Sequence, residues 1–144
     1  DGISLPKLQA ANFSGIVGSK VTQQWDPSLD NQANKKFVND FKKQFGKYPS
    51  FYAAQSYDTI NMIASAVMAV DGDMSDVAGL RSALKSANYN SVRGKYSYGN
   101  NNFPIQTFYL REVVEDSDGN WTTEVVDTVF TNHQDPFAAD CKLK

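Results

Sequence analysis

The stretch from Val21 to Asp58 constrains the fold of this chain more than any other stretch. It starts as a strand, turns at a proline-containing bend, and continues into a polar segment with phenylalanines at four-residue spacing. Those phenylalanines are Phe37, Phe41 and Phe45. The spacing predicts an amphipathic helix over about residues 32–45, because side chains four positions apart lie on one helical face. Asp30 or Asn31 is expected to cap its start, and Gly46 to end it.

A second helix is predicted over about residues 51–70, with Ser50 as its cap. Its residues are apolar almost all round, and a helix without a polar face is buried on several sides. The pattern therefore predicts a sheet on one side of this helix and other helices beyond it. A third, shorter helix is predicted over about residues 76–87, where Ser75 is expected to be the cap.

Strands are predicted on both sides of these helices. Residues 15–21 and residues 92–98 are rich in branched and aromatic side chains, which favour strands. Two longer strands, about residues 105–115 and 121–130, are joined by a segment that contains Asp-Gly, which is a strong hairpin signal. Single helical turns are predicted near the two ends, within residues 1–12 and residues 136–141. The chain is therefore predicted to be of the α/β class.

Composition excludes several functional classes. The chain has 14 basic and 16 acidic residues and a formal charge of −2, whereas proteins that bind nucleic acid usually carry a clustered basic surplus. No run approaches the ~18 apolar residues of a membrane span. Cys141 is the one cysteine of the chain, so it forms no disulfide within it, and its redox state in a longer protein is left open.

Metal and catalytic motifs are also missing from the sequence. The Asp71, Asp73 and Ser75 spacing suggests a calcium loop, but the glycine and the bidentate glutamate that such a loop needs are replaced. His133 and Cys141 lie in a polar tail without a nucleophile signature. The sequence therefore predicts no catalytic residue, no metal site and no cofactor.

Two segments carry a family resemblance. One runs from Val21 through the phenylalanine-spaced helix to Lys-Tyr-Pro-Ser-Phe-Tyr-Ala-Ala-Gln-Ser-Tyr-Asp, which ends at Asp58. The other spans Ser91 to Leu110 and contains Ser-Val-Arg-Gly-Lys-Tyr and Asn-Asn-Asn-Phe-Pro-Ile. In this order they resemble the C-terminal half of the type I periplasmic binding proteins, the solute receptors of branched-chain amino acid type ABC importers.

The resemblance implies a fold of two Rossmann-like lobes that close on a small molecule, of which this chain is the C-terminal part. Residues 1–24 would end the body of the second lobe, and residues 25–104 would form a portion of the first. Residues 105–144, a hairpin at about 105–130 plus a tail, would return to the second lobe. Much of both lobes would then be missing, so the chain is expected to be a fragment.

Candidate binding residues lie after the first predicted strand, before the predicted hairpin and within the second predicted helix, since ligand pockets often form beyond strand ends. The predicted ligand-binding residues are Gln24, Trp25, Tyr57, Asn102 and Phe103. Packing in a core or hinge is the alternative role for Trp25 and Phe103. Asp58, on an apolar helix, is interpreted as a buried carboxylate bonded to backbone amides.

The resemblance implies a non-catalytic, periplasmic or extracytoplasmic solute-binding component of an ABC importer that captures an aliphatic amino acid or an aromatic acid. Its expected partners are a permease in the inner membrane, and either the missing N-terminal portion or a second copy. No nucleic acid is expected. Two alternatives stay open, a ligand-sensing domain of the same fold and a small α/β enzyme with an unrecognised acidic pair.

Overall fold

The computed structural model describes residues 5–143, within which four helices and four strands form. The helices are α1 (Leu5–Ala10), α2 (Gln32–Phe45), α3 (Phe51–Ala69) and α4 (Val77–Ser86). The strands are β1 (Lys20–Gln23), β2 (Ser97–Tyr98), β3 (Pro104–Glu115) and β4 (Trp121–His133). Single 3₁₀ turns lie at Ser14–Ile16 and Ala138–Asp140. Residues 1–4 of the predicted first turn lie outside the described residues, and α1 occupies most of the rest.

Helix α2 begins and ends where its sequence predicts. The Asn31 side chain accepts a hydrogen bond from the Asn34 N–H at 2.8 Å, which makes Asn31 rather than Asp30 the cap. Gly46 follows the last turn with φ +64°, a left-handed conformation that glycine adopts without a Cβ clash. Phe37 and Val38 are the apolar side chains that this helix buries.

Helix α3 is capped by Ser50, as predicted, but it is not buried on several sides. Ile60 is 67% exposed, Met68 70% and Tyr52 60%. The prediction of a helix buried on several sides is wrong for this chain, because no element among residues 5–143 covers the face that carries these side chains. None of the helices in the described part is long and apolar enough to cross a membrane.

Helix α4 is capped one residue later than predicted. The Asp76 carboxylate accepts a hydrogen bond from the Gly79 N–H at 2.9 Å and is the cap. Ser75 instead donates its hydroxyl to Asp73 at 2.6 Å, within the preceding turn. The competing bond explains the shift, since a serine hydroxyl held in a turn is less available to the helix.

Strand β3 organises the sheet, because each of the other three strands pairs with it in antiparallel register. Lys20 in β1 lies opposite Glu112, and Ser97 in β2 lies opposite Ile105. The predicted hairpin is confirmed as β3 and β4, with Glu115 opposite Trp121 at the turn. The first and last parts of the chain therefore meet in one sheet, while α2, α3 and α4 lie between them in sequence.

Two predicted strands are shorter or displaced. Residues 15–21 contain a 3₁₀ turn and Gly18 at φ +85°, so the first strand starts only at Lys20. Of residues 92–98, only Ser97 and Tyr98 pair as a strand. The preceding backbone bonds to side chains instead of a neighbouring strand, since the Val92 N–H donates to Asp58 at 3.0 Å.

The apolar core lies where the chain leaves β1 and meets α2 and α3. Its buried members are Trp25, Phe37, Val38, Ala54 and Val92. Trp25 and Phe37 meet edge to face, with ring centroids 6.2 Å apart, an arrangement that aromatic rings favour. This core fixes the bend after β1 relative to the helices.

Candidate functional site

Trp25, one of the predicted ligand-binding residues, is a core side chain. It is 1% exposed, and its indole N–H donates to the Asn34 Oδ1 at 2.7 Å. The Asn34 amide in turn donates to three backbone carbonyls of the same bend at 3.1 Å, those of Asp26, Pro27 and Leu29. Gln24 beside it is half-buried. The bend after β1 is thereby held in one conformation.

The other predicted residues lie elsewhere. Tyr57 is 38% exposed, with its ring 4.7 Å from that of Phe37, and it lines a groove between α2 and α3. Asn102 and Phe103 lie in the loop before β3, where Phe103 is 62% exposed. The structure does not bring the five predicted residues together in one cavity, so their joint role stays a prediction.

Asp58 is a buried hub that connects α3 to the segment before β2. It is 2% exposed and accepts hydrogen bonds from the Ser91 hydroxyl at 2.6 Å, the Val92 N–H at 3.0 Å and the Arg93 Nε at 3.1 Å. The guanidinium of Arg93 also donates to Gln106 Oε1 at 2.8 Å. The interpretation of Asp58 as a satisfied carboxylate is correct, although only one of its partners is a backbone amide.

A second buried network, which the sequence reasoning missed, links the bend after β1 to the hairpin. Asp26 is fully buried and accepts from the Thr123 hydroxyl at 2.6 Å. Its carboxylate lies 3.7 Å from the Arg111 guanidinium, which also donates to the Trp25 carbonyl at 3.3 Å and to Gln23. Burial raises the pKa of Asp26, although its hydrogen bonds and Arg111 oppose that shift.

One sequence signal was available for Arg111. Side chains two positions apart on a strand lie on the same face, and Arg111 shares its face of β3 with the apolar Val113. Both side chains are buried, Arg111 at 4% exposure and Val113 at 6%. A cation in step with a buried apolar residue predicts a buried partner of opposite charge, but the sequence does not say that this partner is Asp26.

A cavity of about 670 Å³ lies beside this network, between α1, β1, the hairpin and the connection from α2 to α3. We call it the crossing cavity. Its aromatic lining residues are Trp25, Phe41, Tyr48, Phe51, Tyr52 and Trp121. Its basic lining residues are Lys7, Lys20, Lys47 and Arg111. None of its lining residues within the described part of the chain is acidic, so the cavity is cationic although the whole chain is slightly acidic.

Thr122 supplies a polar group to this lining. It is 6% exposed, and its hydroxyl oxygen has no hydrogen-bond partner among residues 5–143. A buried hydroxyl without a partner costs free energy unless something else satisfies it. The described residues contain no cluster of three or more side chains suited to hold a metal ion.

A polar contact holds Tyr48, one of the residues that line the crossing cavity. The Tyr48 hydroxyl donates to Asp116 Oδ2 at 3.0 Å, and the Lys42 ammonium lies 3.8 Å from the same oxygen. The other carboxylate oxygen of Asp116 accepts from the N–H groups of Asp118 and Asn120 at 3.0 and 2.8 Å. The contact therefore joins the hairpin turn to the connection between α2 and α3.

Because of this contact, the free energy of unfolding should decrease as the pH falls in the acidic range. Hydrogen bonds from the Asn120 backbone first, and from Tyr48, lower the pKa of Asp116 from its ordinary value of 3.8. A lowered pKa means that the contribution is complete above the unfolded-state value and is lost as the pH falls through the folded-state value. We expect Asp116→Asn to flatten the loss of stability below about pH 4 in denaturant titrations, and Tyr48→Phe to flatten it partly. Equal pH slopes in all three proteins would contradict this assignment.

A sequence profile described as periplasmic binding protein matches residues 2–120 of this chain. The chain belongs to this family. The family consists of non-catalytic solute-binding proteins, which agrees with the prediction of a chain without catalytic residues, and its name indicates an extracytoplasmic location. Among curated proteins, none matches the chain.

Solved structures of periplasmic binding proteins share the fold. A solute-binding protein of an ABC transporter from R. palustris, in complex with benzoate, is 29% identical, with a TM-score of 0.78 over 94% of this chain and 36% of that one. One from Rhodopseudomonas palustris BisB5, in complex with 3,4-dihydroxybenzoic acid, is 29% identical, with a TM-score of 0.72 over 84% of this chain and 33% of that one.

A more distant structure shows the fold alone. The leucine-, isoleucine-, valine-, threonine- and alanine-binding protein from Brucella ovis is 21% identical, with a TM-score of 0.69 over 92% of this chain and 36% of that one. The chain thus spans about a third of the length of these solved structures. It is a mixed α/β portion of the periplasmic-binding-protein fold.

Proposed function

We propose that this chain belongs to the extracytoplasmic solute-binding component of an ABC importer, which captures a small carboxylate by lobe closure. The observation that carries the proposal is the 29% identity, over 94% of the chain, to a solute-binding protein in complex with benzoate. The carboxylate would be an aromatic acid or an aliphatic amino acid. The receiving partner would be a permease in the inner membrane.

Pairing within the sheet supports an assignment of segments to two lobes. The β1 strand, from residues 1–24, pairs with β3 of residues 105–144, whereas α2 and α3 of residues 25–104 pack around a separate apolar core. We therefore assign residues 1–24 and 105–144 to the second lobe and residues 25–104 to the first. The bend at Trp25 and the loop at Asn102 are then the two crossings between the lobes.

The exposed apolar face of α3 supports a further partner. An uncharged face with Ile60 and Met68 more than half exposed is unfavourable in water and favours association with other apolar surface. We assign that role to the N-terminal portion that the longer relatives possess, or to a second copy of this chain. Gln24, Trp25, Tyr57, Asn102 and Phe103 would lie along the edge of the pocket that this association completes.

A thermal-shift screen tests the proposed function. The 144-residue chain, and any longer polypeptide that contains it, would be heated with aliphatic amino acids, amides or aromatic acids. A ligand at ~100 times its dissociation constant stabilises the native state by about 2.7 kcal/mol, so we expect a clear rise in Tm with one carboxylate class. Absence of stabilisation by every class, in both polypeptides, would contradict the importer assignment and favour a sensor or an enzyme.

A further inference from the structure

The lining of the crossing cavity selects one class of carboxylate. We propose that this cavity is a subsite for an aromatic monocarboxylate that carries no amino group. The inference rests on the proposed function, since it names the ligand class of a solute-binding protein, and it comes from the charges and side chains of the cavity itself.

The volume and walls of the cavity suit a small aromatic ring. About 670 Å³ lies within the range of about 300–1,000 Å³ for small-molecule sites. Two tryptophans line it, Trp25 on the bend after β1 and Trp121 at the start of β4. Aromatic side chains bind planar rings through apolar contact and edge-to-face packing, so the walls favour an aromatic ligand over a short aliphatic one.

The charges of the lining favour an anion and oppose an amine. Lys7 on α1, Lys20 on β1, Lys47 in the connection between α2 and α3, and Arg111 on β3 all line the cavity. Lys20 is already paired with Glu112 at 3.4 Å, and Arg111 lies near Asp26, but neither acid lines the cavity. A carboxylate would meet cations from several directions. An α-ammonium group would meet no acidic side chain of the described lining, which disfavours amino acids.

Thr122 gives the subsite a directional group. Its hydroxyl is buried at the cavity and unbonded within residues 5–143, and it is able to donate a hydrogen bond to a carboxylate oxygen. Hydrogen bonds to charged groups are roughly twice as strong as neutral ones. A buried hydroxyl without a hydrogen-bond partner destabilises the free protein. Packing alone therefore does not explain a threonine here, whereas a hydrogen bond to a ligand does.

Tryptophan fluorescence provides a local measurement of binding. The chain contains two tryptophans, and both line the crossing cavity. We expect benzoate and hydrocinnamate to change the emission. Phenylalanine, which differs from hydrocinnamate only by its α-amino group, should bind at least tenfold more weakly, and benzylamine should not bind. Neutral benzamide should lie between benzoate and benzylamine.

Substitution of Thr122 separates ligand binding from folding. Thr122→Val removes the hydroxyl and keeps the shape, so the free protein should be as stable as before or more stable, while benzoate binds about tenfold more weakly or worse. Thr128→Val, an exposed position on the same strand, is the matched control and should change neither property. Lys47→Gln, at an exposed position, should weaken the binding of benzoate and leave the binding of benzamide unchanged.

The outcomes separate this inference from the proposed function. If carboxylates raise Tm but tryptophan emission does not respond, or Thr122→Val binds benzoate as well as the original protein, the subsite is elsewhere and the importer assignment stands. Equal binding of phenylalanine and hydrocinnamate would also overturn the inference. If no carboxylate raises the Tm of either polypeptide, the proposed function itself fails.

Discussion

Asp58→Ala is expected to lower the free energy of unfolding by about 3–5 kcal/mol, the usual cost of removing one partner of a buried ion pair. The substitution leaves the Arg93 guanidinium, 12% exposed in its side chain, without its acidic partner. It also leaves the Ser91 hydroxyl and the Val92 N–H without their acceptor. Since small domains are stable by about 5–15 kcal/mol, a loss of this size is a large part of the total.

Chemical denaturation of the two proteins measures this difference as a shift in the unfolding midpoint. The matched control is Asp40→Ala on α2, which removes an acid whose ion pair with Lys36 is exposed to solvent. Exposed pairs contribute little to stability, so the control midpoint should stay close to that of the original protein. If both variants shift equally, Asp58 does not act as a hub between α3 and the segment before β2.

Trp25→Ala is the second large change, with an expected loss of about 3–5 kcal/mol, as is common when a buried aromatic residue is truncated. The indole is 1% exposed and packs edge to face on Phe37. Its removal leaves a cavity in the core and takes away the hydrogen bond to Asn34. Because the same side chain lines the crossing cavity, ligand binding should fall as well.

Phe103→Ala provides the comparison, because Phe103 belongs to the same predicted set of binding residues but is 62% exposed. Exposed substitutions usually change stability by less than about 0.5 kcal/mol. We therefore expect a nearly unchanged Tm for Phe103→Ala and a strongly reduced one for Trp25→Ala. A similar loss in both would mean that the loop before β3 is more tightly packed than its exposure indicates.

Local signals in the sequence predicted most of the secondary structure correctly. Ser50, Gly46 and the Asp-Gly of the hairpin act through bonds and backbone angles within a few residues, so their effect is visible in the sequence itself. The errors also have local causes. Gly18 at positive φ delays the first strand, and the Asp73 turn takes the hydroxyl of Ser75 away from α4.

The buried networks could not be predicted in the same way. Arg111 bonds to Gln23 and Trp25, which precede it by more than 80 positions, and Thr123 bonds to Asp26 across a similar separation. Such pairs depend on the sheet that brings β1 beside β3. The sequence therefore predicts the bend at Trp25 but not the cavity beside it.

The error on α3 has a different origin. The apolar pattern correctly describes a helix that needs cover, but cover is a property of the whole fold and not of the helix. The chain spans about a third of the length of the solved relatives, such as the benzoate-bound protein. The apolar pattern of α3 therefore predicts the burial expected in a longer fold, but the described residues contain no element that covers the exposed face of this helix.

Asn34 restricts what this chain accepts during evolution. Its one amide serves three carbonyl acceptors and one indole donor at the bend after β1. Aspartate has the right length but no N–H to donate, glutamine has the right groups but an extra methylene, and serine does not reach as far. No single replacement keeps all of these hydrogen bonds. We therefore expect Asn34 to vary less among homologues than the exposed lysines of α2.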